Sequence, residues 1–412
     1  MRISTEQLFS RGLQNIQDVT IQLQKTQQQI SSGKRVLTPA DDPVASTRIL
    51  QINQELTLIS QYQRNIDLTE NRLSLEDSLL SGVSDALQRF RELVVQAGDG
   101  GQNSDDKLFI AAEVDQILDQ VAGLLNSRDA GGEYIFSGFQ GDREAFVKNQ
   151  AGNYQYSGDE GRRFIQVESN VTVAVGDNGK DIFVNVASAN NTFTTSASPR
   201  NTAVPPATIS QGQVIDQDAY DQFYPEDMRI VFNDETNVVP PAANYTITRV
   251  SDGRPVLSNQ LYVTGAPITA EGIVTEIIGK PRPNDTFFVS SSDTQGLLTT
   301  IERFSRALKN FSDTPNGRRV LTDAIDSTLA NTTNAETKLL ETRSSLGARL
   351  NTLESIRETQ GDVEALTLGV LSELQDLDYA EAISQLTLED TILQAAQQSF
   401  TRVTNLSLFN FF

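Results

Sequence analysis

The stretch IQLQKTQQQISSGKRVLTPADDPVAS, residues 21–46, decides how the chain is read. It opens polar and glutamine-rich, with apolar residues at helical spacing. It then meets Ser32-Gly33, a helix stop, because glycine readily takes the left-handed conformation that closes a helix. Thr38-Pro39 and Asp42-Pro43 each set an N-cap residue before a proline suited to the first helical position. One helix therefore ends near Ser32 and a second begins near Pro43. Upstream, Ser4 and Gln7 offer a capping box, and Phe9, Ile16, Leu23 and Ile30 recur every seven residues.

Downstream, the spacing predicts a helix from about Pro43 to Ala97. Ile52, Ile59, Ile66, Leu73, Leu80, Leu87 and Val94 stand at consecutive sevenths, the pattern of one coiled-coil seam. The second seam is mixed, with Tyr62, Val83 and Phe90 set among Glu55, Thr69 and Glu76. AGDGGQNSDD breaks this helix, and a third is expected over roughly Asp105 to Asn126. Asp41-Asp42 and Asp105-Asp106 each stand at a predicted helix start, where capping explains them better than a catalytic carboxylate pair. Gly98-Asp99-Gly100-Gly101 follows a helix and lacks the lysine of a phosphate loop, so it reads as a turn. GDNGKD, residues 176–181, lacks the alternating acids of a calcium loop and also reads as a turn. Lys34-Arg35 suits a helix C-terminus or an acidic contact.

Ten of the 13 prolines fall between Pro199 and Pro283, so the flanks are free to be helical and the centre is not. YIFSG, YQYSG, RRFIQVESNVTVAVG and KDIFVNV alternate apolar and polar residues, as do MRIVFND, NYTITRV, QLYVTG and DTFFVSS, and all are predicted strands. Helix is expected again from Ser292, boxed with Gln295. Leu339, Leu346 and Leu353 share a spacing of seven, as do Val363, Val370 and Leu377, and then Leu386, Leu393 and Phe400. The chain closes on LSLFNFF. The fold class is α+β and multidomain: long coiled-coil-like helices from both chain ends form a stalk, with a mostly β domain inserted between them. The expected divisions are 1–40, 41–186, 187–290, 291–365 and 366–412, the first and last being helices of an inner layer. Neither terminal stripe is wide enough to hold a helix alone.

Composition narrows the chemistry. The chain has 412 residues, a net charge of −21 and no His, Cys or Trp. Without imidazole or thiolate there is no His base, no Cys nucleophile and no zinc ribbon. The expectation is a non-enzyme with no catalytic residues, no metal and no cofactor. An acidic chain argues against nucleic acid, and no apolar run is long enough to insert in a membrane. MRISTEQLFSRG lacks a signal-peptide core, so export without a cleaved signal is expected if the chain leaves the cell. Residues 1–40 carry five basic residues against two acids, a net of +3, whereas 366–412 carry one against six, a net of −5. The two ends are therefore expected to pair through Phe9, Ile16, Leu23 and Ile30, with Leu386, Leu393 and Phe400 as a second stripe. That second stripe is also expected to carry most of any contact with a partner that covers the C-terminal helix, charge changes at Glu389 and Asp390 mattering less to it.

QQQISSGKRVLTPADDPVAS and DLDYAEAISQLTLEDTILQAAQQSF resemble the two halves of the flagellin-superfamily signature. The resemblance covers about residues 1–145 and 295–412. Within the superfamily, PADDPVAS, GGEYIFSGFQ and LSLFNFF are most similar to the branch that joins hook to filament. REAF, residues 143–146, departs from that branch, where a proline is expected before the phenylalanine. The resemblance implies a structural protein of the bacterial flagellum, extracellular and passed out by the flagellar type III apparatus. Its implied partners are copies of itself in a ring, the first hook-associated protein, flagellin, and an export chaperone that covers the C-terminal helix. The other readings are a flagellin filament subunit and, more remotely, a coiled-coil-stalked adhesin or a carbohydrate-active protein.

Overall fold

The structure, a computed structural model, describes residues 5–408; Ser4 of the first capping box and residues 409–412 of the closing LSLFNFF lie outside them. The chain divides into two compact units. One joins the chain ends, Met1–Asn65 with Glu354–Phe412, and the other is Ile66–Leu353.

The terminal unit contains α1 (Thr5–Ser32), the start of α2 (Pro43–Ala97), the end of α6 (Pro315–Gln375) and α7 (Tyr379–Leu408). Gly33 ends α1 with φ +68°. Asp42 starts α2, its Oδ1 accepting from Ala45 N at 2.9 Å. Thr38-Pro39 starts no helix. Asp41 Oδ2 instead accepts from Leu37 N at 3.1 Å and Thr38 N at 2.8 Å, which closes a turn. Leu377, expected to continue a helical stripe, lies in the break between α6 and α7.

In the larger unit the seam of α2 forms the axis of the core. Ile66, Leu73, Leu80, Leu87 and Val94 have no exposed surface, and each stabilises the fold by about 2 kcal/mol through burial. Leu339, Leu346 and Leu353 of α6 are buried likewise. The third helix, α3, spans Ser104–Leu125. Its cap is Asn103, which accepts from Asp106 N at 2.9 Å while Asp106 Oδ2 accepts from Asn103 N at 3.0 Å. Helix α3 packs on α5 (Leu297–Lys309), where Asp115 takes Ser305 Oγ and Lys309 Nζ, each at 2.6 Å. In chain order, α4 (Gln217–Phe223) precedes α5.

Two hairpins follow α3: β1 (Phe146–Lys148) with β2 (Tyr154–Tyr156), and β3 (Phe164–Glu168) with β4 (Val171–Ala174). Two predicted strands are absent. YIFSG forms turns in which Tyr134, Ile135, Phe136 and Ser137 are all buried. KDIFVNV forms a π-helical turn at Lys180–Val184, with Asn178 Oδ1 accepting from Asp181 N at 2.9 Å. The reason is the same at both places. Neighbouring residues are buried together, whereas a strand would send them to opposite faces. Phe183 meets Phe136 edge-on at 5.2 Å.

The insert begins with β5 (Ala187–Ala197), β6 (Thr208–Ile209) and β7 (Gln213–Val214). It continues through β8 (Met228–Asn233), β9 (Asn244–Arg249), β10 (Pro255–Leu261), β11 (Pro267–Ala270), β12 (Ile273–Ile278) and β13 (Thr286–Thr294). One sheet has the order β10-β9-β8-β13-β5, and the other β11-β12-β6 with β7 also on β12. Phe193, Tyr220, Ile230, Phe232, Ile247, Ile273, Ile277 and Phe287 fill its core. Strand β13 runs to Thr294, so the expected Ser292–Gln295 capping box does not form. Ser292 Oγ bonds within its own strand end, and the cap of α5 is Gly296. Gln295 is engaged by Arg303, whose guanidinium also reaches Thr192 Oγ1 at 2.6 Å and the carbonyls of Phe193, Gln211 and Gly212. This one arginine ties both stems of the insert to α5. Burial lowers its pKa to about 10, which still leaves it charged at neutral pH.

Candidate assembly interface

Helix α1 packs against α7. The pair is antiparallel. Near one end Phe9 meets Phe400 with ring centroids 4.9 Å apart. At the other, Arg35 N donates to Gln375 O at 2.7 Å and Leu377 N to Gly33 O at 3.0 Å, so Lys34 and Asp376 form a short antiparallel bridge. Arg35 Nη2 also donates to Leu374 O at 3.0 Å. Each break between helices thus closes the other.

The seam explains the sequence of both helices. Ile16, Leu23 and Ile30 are half-buried, and Phe9 remains 49% exposed. On α7, Leu386, Leu393 and Phe400 are half-buried. All seven predicted stripe residues lie on helices of this pair. What sequence reading missed is the second row. On α1 it is Gly12, Val19 and Thr26, with Gly33 just past its end, and on α7 it is Ala382, Glu389 and Ala396. The signal was present at spacing three and four from the first row, but the residues are small or polar. Gly12 has a specific reason: a Cβ there would stand 2.9 Å from Phe400 Cδ2. Glu389 is 5% exposed and belongs to this row.

A polar clamp braces the turn after α1. Lys25 Nζ lies 2.7 Å from Asp41 Oδ1. That bond, with the Thr38 amide, holds the Asp41 carboxyl down to about 2. The unit leaves much apolar surface uncovered: Leu13, Ile21, Leu50, Leu58, Leu366, Ile383, Leu388 and Ile392 are all exposed. Among the described residues, no group of His, Cys, Asp or Glu could hold a metal ion, and no helix is long and apolar enough to cross a membrane.

Residues 3–141 match the bacterial flagellin N-terminal helical region. The chain is 35% identical to flagellar hook-associated protein 3 of Salmonella typhimurium over 188 residues, 46% of this chain and 58% of that protein. It is 24% identical to flagellar hook-associated protein 3 of Escherichia coli over 409 residues, 99% of both chains. These likenesses are all to proteins of the bacterial flagellum. The fold of the chain is similar to that of hook-associated protein 3 from Legionella pneumophila. That crystal structure is 27% identical and matches 79% of this chain and 98% of its own, with a TM-score of 0.53. The matched N-terminal region takes in α1, α2 and α3.

Proposed function

We infer that this chain is a structural subunit of the bacterial flagellum, set at the junction between hook and filament. The observation that carries the reading is its end-to-end likeness to the Escherichia coli hook-associated protein 3. The antiparallel pairing of the two chain ends supports it. A subunit that contributes both termini to an inner layer needs amphipathic helices with narrow stripes, which α1 and α7 are. It also needs apolar surface for its neighbours, and large exposed apolar surface on a chain marks contact sites.

In the finer reading, copies of the chain form a ring. One side of the ring meets the first hook-associated protein and the other meets flagellin. Phe9, Ile16, Leu23 and Ile30 pair with the helix bearing Leu386, Leu393 and Phe400. Before assembly, an export chaperone covers that C-terminal helix, as an amphipathic helix in a groove. Export proceeds through the flagellar apparatus without signal cleavage. No catalytic step belongs to this role, in keeping with a chain that has neither His nor Cys.

Electron microscopy of a strain lacking the chain tests the reading. Hooks without filaments, with flagellin free in the medium, are expected, and a tagged chain should mark the distal end of the hook. Normal filaments in the deletion strain would overturn it. Tag along the whole filament would make the chain a filament subunit instead.

A further inference from the structure

GDNGKD, residues 176–181, reads in sequence as a plain turn, yet two of its side chains are deeply buried, Asp177 at 5% exposure and Asn178 at 0%. The turn docks on α2 at Glu76, which has no exposed surface. Asp177 N donates to Glu76 Oε1 at 3.3 Å, and Glu76 Oε2 is buried without a protein partner. Gly176 leaves room at that oxygen. A Cβ at residue 176 would stand 3.2 Å from Glu76 Oε2 and 3.6 Å from Arg72 Nε. The Gly176 backbone is not left-handed, so the glycine supplies a missing Cβ rather than a special conformation. Arg72 commits Nη1 to Asp129 and Glu133, and its Nε faces the gap. A cavity of about 10 Å³ opens beside Gly176, with Arg72, Asp177, Arg162 and Arg163 also in its wall. That is about the space of one water molecule. Three guanidinium groups around it repel a cation. Arg349 Nη1, beside the same Asp177, is a second buried atom with no protein partner. A buried carboxyl oxygen left without a hydrogen bond is costly, and ordered water commonly satisfies such groups.

We propose that this cavity is a binding site for a single ordered water, which accepts from Arg72 Nε and bonds Glu76 Oε2. The turn at 176–181 then docks on α2 through solvent as well as through the Asp177 amide. Gly176 keeps the site open, and any larger residue there closes it. The inference goes beyond the proposed function and stands whether or not the flagellar reading does.

Crystal structures of the full chain, native, Gly176→Ala and Glu76→Gln, at a resolution that shows ordered waters, test the proposal. The native and glutamine proteins should show one water within hydrogen-bond reach of residue 76 and of Arg72 Nε. Glutamine keeps the shape of the side chain and its capacity to bond water. The alanine protein should show no water there. In solution, magnetic relaxation dispersion should count one long-lived water fewer in Gly176→Ala than in the native chain, and no fewer in Glu76→Gln. A native crystal with no water at this place overturns the proposal, and that arm stands even if the alanine variant does not fold. An unchanged count in a folded alanine variant overturns it as well. So does a peak that scatters anomalously after bromide replaces chloride, because the occupant would then be an anion.

Discussion

Glu76 and Glu302 are the residues at which the larger unit responds to pH. Glu76 is fully buried; Asp177 N donates to its Oε1 at 3.3 Å, and Oε2 has no partner. Beside it the Asp177 carboxylate pairs with Arg349 at 2.7 Å and Arg162 at 3.5 Å. Burial first, and the charge of Asp177 second, push the Glu76 carboxyl from 4.5 up to about 8. Glu302 accepts from Tyr154 N at 2.7 Å, and burial raises it to about 7. The folded state binds both protons more tightly than the unfolded state does. Their stabilisation is therefore fully present below about pH 4.5 and declines as pH rises, through about 7 for Glu302 and about 8 for Glu76. Each group contributes a slope of up to about 1.4 kcal/mol per pH unit in its window. Glu76→Gln should flatten the fall in melting temperature between pH 5 and 8, and adding Glu302→Gln should flatten it further. Curves parallel to the native one would show that neither carboxyl holds its proton in the fold.

At the scale of elements, replacing Ile16 and Leu23 by Asp puts two charges into the α1·α7 seam. That should remove about 2 kcal/mol or more from the pair. The expected signs are lower helicity by circular dichroism and, in cells, hooks without filaments and flagellin in the medium. Normal filaments would refute the pairing. On the proposed reading that an export chaperone covers α7, replacing Leu386, Leu393 and Phe400 by Ala should weaken that binding by several kcal/mol. Calorimetric titration that finds full affinity would move the chaperone to another face. These elements differ in how plainly they could be read. Helix α2 was legible because one apolar residue stands at every seventh place, and its start at Asp42-Pro43 and its end at Ala97 carry ordinary signals. The second row of the terminal seam was not, because Gly12, Thr26 and Glu389 owe their place to close approach and burial rather than to hydropathy. KDIFVNV looked like a strand by alternation, but Ile182 and Phe183 are both buried. Ser292 looked like a cap, yet hydrogen bonding to Arg303 uses Gln295 first.

For the whole molecule, the insert is where the competing readings part. An adhesin or a carbohydrate-active protein would work through it, whereas a junction subunit works through its helices. The sheet register shows how to remove it cleanly. Thr194 faces Ser290 and Phe193 faces Ser291 on the paired strands β5 and β13. Residues 195–289 can therefore be replaced by Asn-Gly, a two-residue turn suited to antiparallel strands. The stub keeps its anchors: Ala189 N still donates to Asn331 Oδ1 at 2.7 Å, and Asn334 Nδ2 to Ala187 O at 2.8 Å. Arg303 keeps Thr192, Phe193 and Gln295 and loses only the Gln211 and Gly212 carbonyls. The shortened chain should fold, with its helical content retained in solution. It should also restore filaments, at least in part, to a strain lacking the full chain. If the shortened chain folds but hooks stay bare, the insert itself belongs to the contact with the neighbouring flagellar subunits. The assembly surface would then reach beyond the helices of the chain ends.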